Sequence, residues 1–562
     1  MRFDYLLKHR KCDVCIVLLI GICAFVFVTG GSIINPKYID WLLVFNNRDP
    51  AQHFLGWYHF RNSPWGFPFG VNYNYGMEFS FSVVYTDSIP LFALFFKLFS
   101  PILPEKFQYF GIWILSCFLM QSFFAWLLLS KFVYNRVNAV IASAFFTLSP
   151  VMLQRLGFEY HSAHMSLAAH WFILASFCVF FSKSFSNLRW IVLAVCSVLI
   201  HSTFTPVVLV IYLCDVLYRL LWGIRPKESA YIRTLLYIRD VTILGIMVLL
   251  AMWLSGYFVP HELVDKDFNI NKATLLSLFE PFTWSYLLPG KSVKFGEHEG
   301  FAFLGTGMFV LLTLFVCCRL IFKSTFLSAY RNNRYTTKVW LLFIIAMLLF
   351  IFSLGTKIDI WKFSFHFAPP ISLWEYLLEQ FRSHGRFVWV IHYFVFFIVL
   401  VWISNLKNWK IARCLLVFAL IIQCVDSSTA YGVIKKNMIN RQYKSPFVSK
   451  LWDDALNQYN KILVVIPSGR WTSDDSWADI SYMAAKAHLP TNTGRISRVV
   501  PINFSSRKND FRNSILNQLD KDALYIFNNK ELDLWHMISD KNNGNALSTR
   551  IDGFYVIAPN TK

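Results

Sequence analysis

An acid, an imidazole and an indole recur at four-residue spacing in "NNRDPAQHFLGWYHFRNSPWGFPFG" (46–70): Asp49, His53 and Trp57. With 50–60 helical and Pro50 as the first residue, the three share one face. That set suits an acceptor hydroxyl: a carboxylate as base or metal ligand, a ring to orient, and an aromatic plane for a sugar. Arg61 and Asp87 are further candidate contacts to acceptor or sugar, and Asp40 is an alternative acid. Asp49 also fits a helix N-cap, a role that Asn or Ser would fill as well.

Three other groups carry chemistry. In "FRSHGRFVW" (381–389), Arg382 and Arg386 lie four apart and on a helix would make one cationic clamp for phosphate oxygens. Snorkelling of the same arginines toward lipid headgroups is the other reading. "RLGFEYHSAHMSLAAHW" (155–171) places His161 and His164 three apart near Glu159, which allows a metal or sugar contact without naming a third ligand. "GEHEGF" (296–301) offers Glu297, His298 and Glu299 on similar terms. The lone C-x-x-C, Cys12 and Cys15, has no second pair to complete a metal site. No cofactor is fixed by these residues, and a divalent metal is left open.

What must position them is a membrane scaffold. The 562 residues are 56% hydrophobic and 15% charged, well below the charge of a soluble domain. Apolar runs long enough to span a bilayer predict about eleven helices. They fall near 14–34, 108–130, 137–153, 165–182, 189–205, 206–222, 241–258, 301–322, 339–356, 388–405 and 412–429. Alternate short loops hold the Lys and Arg, which puts the N-terminus in the cytoplasm and explains the net charge of +20 without nucleic acid. The large loops 35–107, 259–300 and 357–387 are then external, with most of the histidines. Residues 83–103, broken by Asp87, Pro90 and Lys97, read as a helix lying along the outer surface. After 430 the spans stop. Strand-like runs at 460–469, 522–529 and 553–560 predict a small external α/β domain over 431–562, after a membrane domain over 1–430.

One inward-starting span, a large acid-bearing outer loop, surface helices, many spans and a terminal external domain together resemble the GT-C class of integral-membrane glycosyltransferases. "RDPAQHFLGWYHFR", "VVYTDSIPLFALFFK" and "FRSHGRFVW" carry the likeness over about 1–430, and also resemble a family of bacterial multi-spanning proteins. The resemblance implies an inverting transferase at the periplasmic face of the bacterial inner membrane. It would take a sugar from a polyprenyl-phosphate donor to a surface glycan such as O-antigen, or to a lipid-linked acceptor. Asp49 matches the acid of that class, though as a lone Asp-Pro where several members have paired acids. Arg382 and Arg386 would hold the donor phosphate. A flippase of lipid-linked sugars, a glycan polymerase and a non-enzymatic assembly factor are the rivals.

Overall fold

The computed structural model describes residues 2–44, 48–77, 81–158, 163–222, 229–259, 261–263, 270–291, 296–322, 333–360, 363–366, 372–465, 476–497, 499–501, 504–527, 531–541 and 546–559. Among them, seven helices are long and apolar enough to cross a membrane: Lys11–Thr29, Phe110–Leu129, Arg136–Leu156, Phe204–Leu221, Ala230–Ser255, Tyr335–Ser353 and His384–Ser404. Trp409–Asp426 and Ser428–Met438 form an eighth apolar segment bent by 55°. Met165–Phe180, Asn187–Ile200 and Thr306–Ile321 are apolar but shorter. Each expected span thus has an apolar helix at its place, although eleven full crossings are not what these lengths provide. The stretch 189–222 is two helices, parted at 201–203.

The chain divides into two compact units. The first comprises Met1–Asn35, Phe110–Val248 and Asp265–Ile439. Its helices approach closely where small residues permit, as in lipid, where apolar side chains gain little from leaving the bilayer. A Cβ on Gly21 would lie 3.0 Å from the Phe118 carbonyl oxygen. Ser122 Oγ donates to the Val17 carbonyl nearby, at 2.6 Å. Charge inside this unit is paired: Asp215 accepts from Arg219 at 2.8 Å and from Lys338 at 2.9 Å, and all three are buried. At the bend, the Asp426 carboxylate accepts from the Ser285 hydroxyl and from the Leu287 N–H at 3.1 Å. That fastens a loop where the regular helix stops.

The second unit joins three distant segments, Pro36–Tyr109, Leu249–Val264 and Asn440–Lys562. Compactness therefore assigns the first large loop to the same body as the tail. Its helices include α1 (Asp49–Asn62), α2 (Pro90–Leu98) and α3 (Trp477–Lys486). Its strands are β1 (His261–Leu263), β2 (Lys461–Val465), β3 (Val499–Pro501), β4 (Ala523–Phe527), β5 (Ala546–Ile551) and β6 (Phe554–Pro559). A four-stranded sheet runs β2-β4-β6-β5, with β2 and β4 parallel and the other neighbours antiparallel. Alternation along β2 and β4 fills both faces. Ile462, Val464, Leu524 and Ile526 pack with Trp452 and Ile480; Leu463, Val465, Tyr525 and Phe527 pack with Ile515 and Leu534. Asp552 and Gly553, both at positive φ, close the β5–β6 hairpin, as the Asp-Gly pair favours.

Residues 490–497 form an extended strap between sheet and first loop. The Ile462 N–H donates to the Pro490 carbonyl, and the Asn492 amide satisfies both backbone groups of Val464 as another strand would. On the loop side, Thr491 exchanges backbone bonds with Asn74 and Gly76, and the Ser497 N–H donates to the Tyr85 carbonyl at 2.7 Å.

The expected surface helix is shorter than its apolar run. It occupies α2 alone, because Asp87 and Ile89 are left-handed, each with φ 54°, and no right-handed helix runs through them.

Candidate functional site

The acid of the first loop begins α1. Arg48, in extended conformation, is the cap residue, and Pro50 stands in the first turn. Asp49 is thus the first helical residue and not the N-cap, so its carboxylate is directed elsewhere. It lies 3.5 Å from a guanidinium nitrogen of Arg495. A negative charge at this end of the helix is also favoured by the backbone dipole.

One turn on, His53 is fully buried. Burial pushes its ring down to about 4; Asp49 opposes that shift and Arg495 adds to it. At neutral pH the imidazole is therefore uncharged, the form that accepts a proton or binds a cation. A ring nitrogen of His53 and a carboxylate oxygen of Asp87 lie within 4.8 Å of each other. The turn carrying Asp87 is pressed onto α1. Ser88 Oγ donates to the His53 carbonyl at 2.7 Å, and Asn72 Nδ2 donates to that of Gly56 at 2.9 Å. A Cβ on Gly56 would meet Thr86 Oγ1 at 2.3 Å, so only glycine admits this approach. Aspartate tolerates the left-handed region; β-branched Ile89 does not, and such a residue stores about 1–3 kcal/mol of strain.

Two expected contacts are differently employed. Trp57 is fully buried, its Nε1–H donates to the Phe107 carbonyl at 3.3 Å, and its ring meets Tyr109 edge-on. It offers no open plane to a sugar. The Arg61 guanidinium donates to the carbonyls of Pro104 and Glu105 at 3.0 Å, and of Ser100 and Leu103 at 3.4 Å. Both residues brace 100–107.

In the first unit, Arg382 and Arg386 do not make the expected clamp. Arg382 sits in a turn and Arg386 in a 3-10 helix, His384–Phe387, so they do not share an α-helical face. Arg386 grips Glu299 bidentately at 2.6 and 2.8 Å, and its third nitrogen donates to Thr203 Oγ1 at 3.1 Å. Arg155 donates to the same carboxylate at 2.9 Å and lies over the Trp389 ring. Burial pushes the Glu299 carboxyl up, but the two guanidiniums outweigh it and hold the group well below the usual carboxylate range. His164 Nδ1 shares a hydrogen bond with Ser166 Oγ at 3.2 Å, and its ring stands edge-on to His201. His161 lies outside the described residues, so the His161–His164 pair is not described.

Sequence spacing brought Asp49 and His53 together, and left out Arg495 and Arg155. Arg155 stands in the quoted "RLGFEYHSAH", but its partner Glu299 is 144 residues away. Arg495, in "TNTGRISR", is separated from Asp49 by 446 residues and carries no motif.

The fold and composition define a multi-pass, mostly helical membrane protein with a small C-terminal sheet domain. Residues 18–428 match a family described as Domain of unknown function (DUF6311), and 451–559 match the DUF6311 C-terminal domain. The chain belongs to the DUF6311 family. No curated protein matches the sequence. Among solved structures it is similar to the oligosaccharyltransferase AglB from Archaeoglobus fulgidus in complex with an inhibitory peptide and a dolichol-phosphate. Identity is 11% and the TM-score 0.38, over 94% of this chain and 71% of that one. The Archaeoglobus fulgidus oligosaccharyltransferase tethered to an acceptor peptide gives 12% and 0.40, over 98% and 74%. At these scores a common fold does not follow.

Proposed function

We propose that the protein is a membrane glycosyltransferase of the GT-C kind. It would move a sugar from a polyprenyl-phosphate donor to a periplasmic glycan or lipid-linked acceptor, with inversion. The observation that carries this reading is the second unit's set of Asp49, buried neutral His53 and buried Asp87, the last on a left-handed turn pressed onto the helix that bears the other two.

In that reaction the acceptor oxygen attacks the anomeric carbon while the bond from that carbon to the phosphate oxygen breaks. The bonding electrons leave with the phosphate, and the hydroxyl proton passes to the Asp49 carboxylate. Because the leaving group departs as a stable anion, no strong acid is needed there. His53 and Asp87 are a nitrogen and an oxygen donor close enough to hold a divalent cation. Such an ion would supply charge against developing anionic oxygen.

The basic short loops support an N-terminus in the cytoplasm, with 35–107 and 430–562 on the periplasmic side of an inner membrane. Transport would favour unpaired charge along the spans, whereas Asp215 is paired twice.

The test is purified protein in nanodiscs incubated with polyprenyl-phosphate sugars and glycan acceptors, reading release of polyprenyl phosphate. Release that needs Asp49 is the expected result. Movement of the lipid-linked sugar across the bilayer without bond cleavage would refute the transferase reading.

A further inference from the structure

We propose that a cavity of the second unit, walled by 43–44, 442–446 and α3, seats one neutral sugar ring of the acceptor. The acceptor role rests on the transferase reading; the binding of a sugar does not. The cavity measures about 230 Å³, under the roughly 300–1,000 Å³ of pockets for drug-sized ligands, so it admits a single ring and not a peptide or a chain. Its lining selects the class. Leu43, Val44 and Pro446 offer apolar surface to the C–H face of a ring, and half-buried Tyr443 adds an aromatic body with a polar tip. Gln442 and Lys444 supply an amide and an ammonium for hydroxyls. An isoprenoid tail would take water from these polar groups and give no hydrogen bond back. Lys444 and Asp479 contribute one charge of each sign, and the Asp40 carboxylate accepts the Tyr443 N–H at 3.3 Å. That balance disfavours an anion such as phosphate. A neutral ring of hydroxyls suits both the size and the charge.

The walls are fixed before a ligand arrives. The Tyr443 hydroxyl donates to Asp479 Oδ1 at 2.6 Å, which joins the tail segment to the first turn of α3. The Arg441 N–H donates to the Tyr38 hydroxyl at 2.7 Å, which joins the same segment to the start of the first loop. Helix α3 is in turn fastened to α1, where a His59 ring nitrogen is hydrogen-bonded to the carbonyl and hydroxyl of Ser481 at 2.9 and 3.1 Å. Tyr58 of α1 stacks on Tyr482 of α3, and Tyr482 meets Tyr443 edge-on. Two aromatic contacts thus tie one wall of the cavity to the helix that opens with Asp49. Gln442 and Lys444 are exposed, and neither side chain bonds another group among the described residues. A rigid wall with two adjustable polar arms keeps the ordering cost of binding low.

The experiment uses the full chain in nanodiscs, titrated with glucose, galactose, rhamnose and N-acetylglucosamine. Inorganic phosphate serves as the anion and glycerol as the acyclic polyol, and saturation-transfer NMR reads binding. At least one sugar should saturate with a Kd on the order of 1 mM, as suits a ring of about a dozen heavy atoms. Gln442→Trp, which fills the cavity from an exposed position, should weaken that sugar at least about tenfold without moving the unfolding midpoint. Should it not fold, Lys444→Trp takes its place. Tyr443→Phe should weaken the sugar about three- to tenfold, the scale of one neutral hydrogen bond. No saturation by any of the four sugars, or full binding in Gln442→Trp, overturns the site. Phosphate or glycerol binding as tightly as the sugars overturns the ring. Release of polyprenyl phosphate, measured on the same protein, separates the two readings. A raised KM for acceptor in Gln442→Trp, with that for donor unchanged, supports the acceptor role. Release with both unchanged overturns that role and leaves the transferase standing. Sugar binding with no release overturns the transferase and leaves the site.

Discussion

Two carboxylates of this molecule, one in each unit, meet arginine in opposite ways. Glu299 receives three guanidinium bonds at 2.6–2.9 Å and is almost sealed from water. The Asp49 carboxylate lies 3.5 Å from the Arg495 guanidinium and keeps about a quarter of its side chain exposed. A carboxylate held on every side is ionised and fixed, and its affinity for protons or cations is spent. The Asp49 carboxylate begins the helix that carries His53 and is partly open to water. The difference separates an acid sealed into the protein from one that water can reach.

Breaking Glu299 should have the largest effect. Glu299→Gln leaves two buried guanidiniums without their counter-charge, which costs about 3–5 kcal/mol. Thermal unfolding of purified protein would show a lowered midpoint. Because its folded carboxyl is held below the ordinary value, this contribution is complete above about pH 4.3 and is lost only as pH falls through the depressed folded value. An unchanged midpoint in Glu299→Gln would erase the contrast.

The next effect is one of pH. His53 is held at about 4 by burial, below its unfolded value near 6.5, so its contribution is complete above 6.5 and is lost as pH falls toward 4. The loss is about 3 kcal/mol at most. His59, also pushed to about 4 by burial, adds a second such loss. Unfolding at pH 7 and pH 4.5 should therefore show a drop that His53→Asn roughly halves.

Asp49→Asn sharpens the comparison from the other side. Since Asp49 is not the cap and its ion pair is loose, stability should change by less than about 1 kcal/mol. Activity should fall about a hundredfold if it is the base. Equal activity in the two proteins would move the role to Asp87 or Asp40. Smallest of all, Trp57→Phe removes one hydrogen bond for about 1 kcal/mol and should leave the KM for sugar unchanged. A raised KM would return Trp57 to the substrate.

The sequence made the local features legible. Pro50 marked the start of α1, the apolar runs marked the spans, and three of the four main-sheet strands stood out as buried runs. It could not show what depends on chain closure. "RDP" reads as a capped helix start until Arg48 takes the cap. Nothing in "YTDSIP" announces two left-handed residues, or that Thr86 and Ser88 of this turn pack on Gly56 about thirty residues earlier in the chain. Arg382 and Arg386 suit a phosphate by type, and it is Glu299, far away in the chain, that commits one of them. β5 was missed because ALSTRI is only partly buried, though Asp-Gly after it was a hairpin signal.

The hydrogen bonds between Tyr75 and Arg495 join residues 420 apart in the chain. At about 5–20 residues per second, a ribosome needs roughly 20–85 s to pass from one to the other. For that interval the first loop exists without the strap that completes it. Its order of assembly is therefore set by translation: the acid is made early and its arginine arrives among the last residues. A chain halted at 489 should carry an unfinished first loop, cleaved by added protease where the full chain resists.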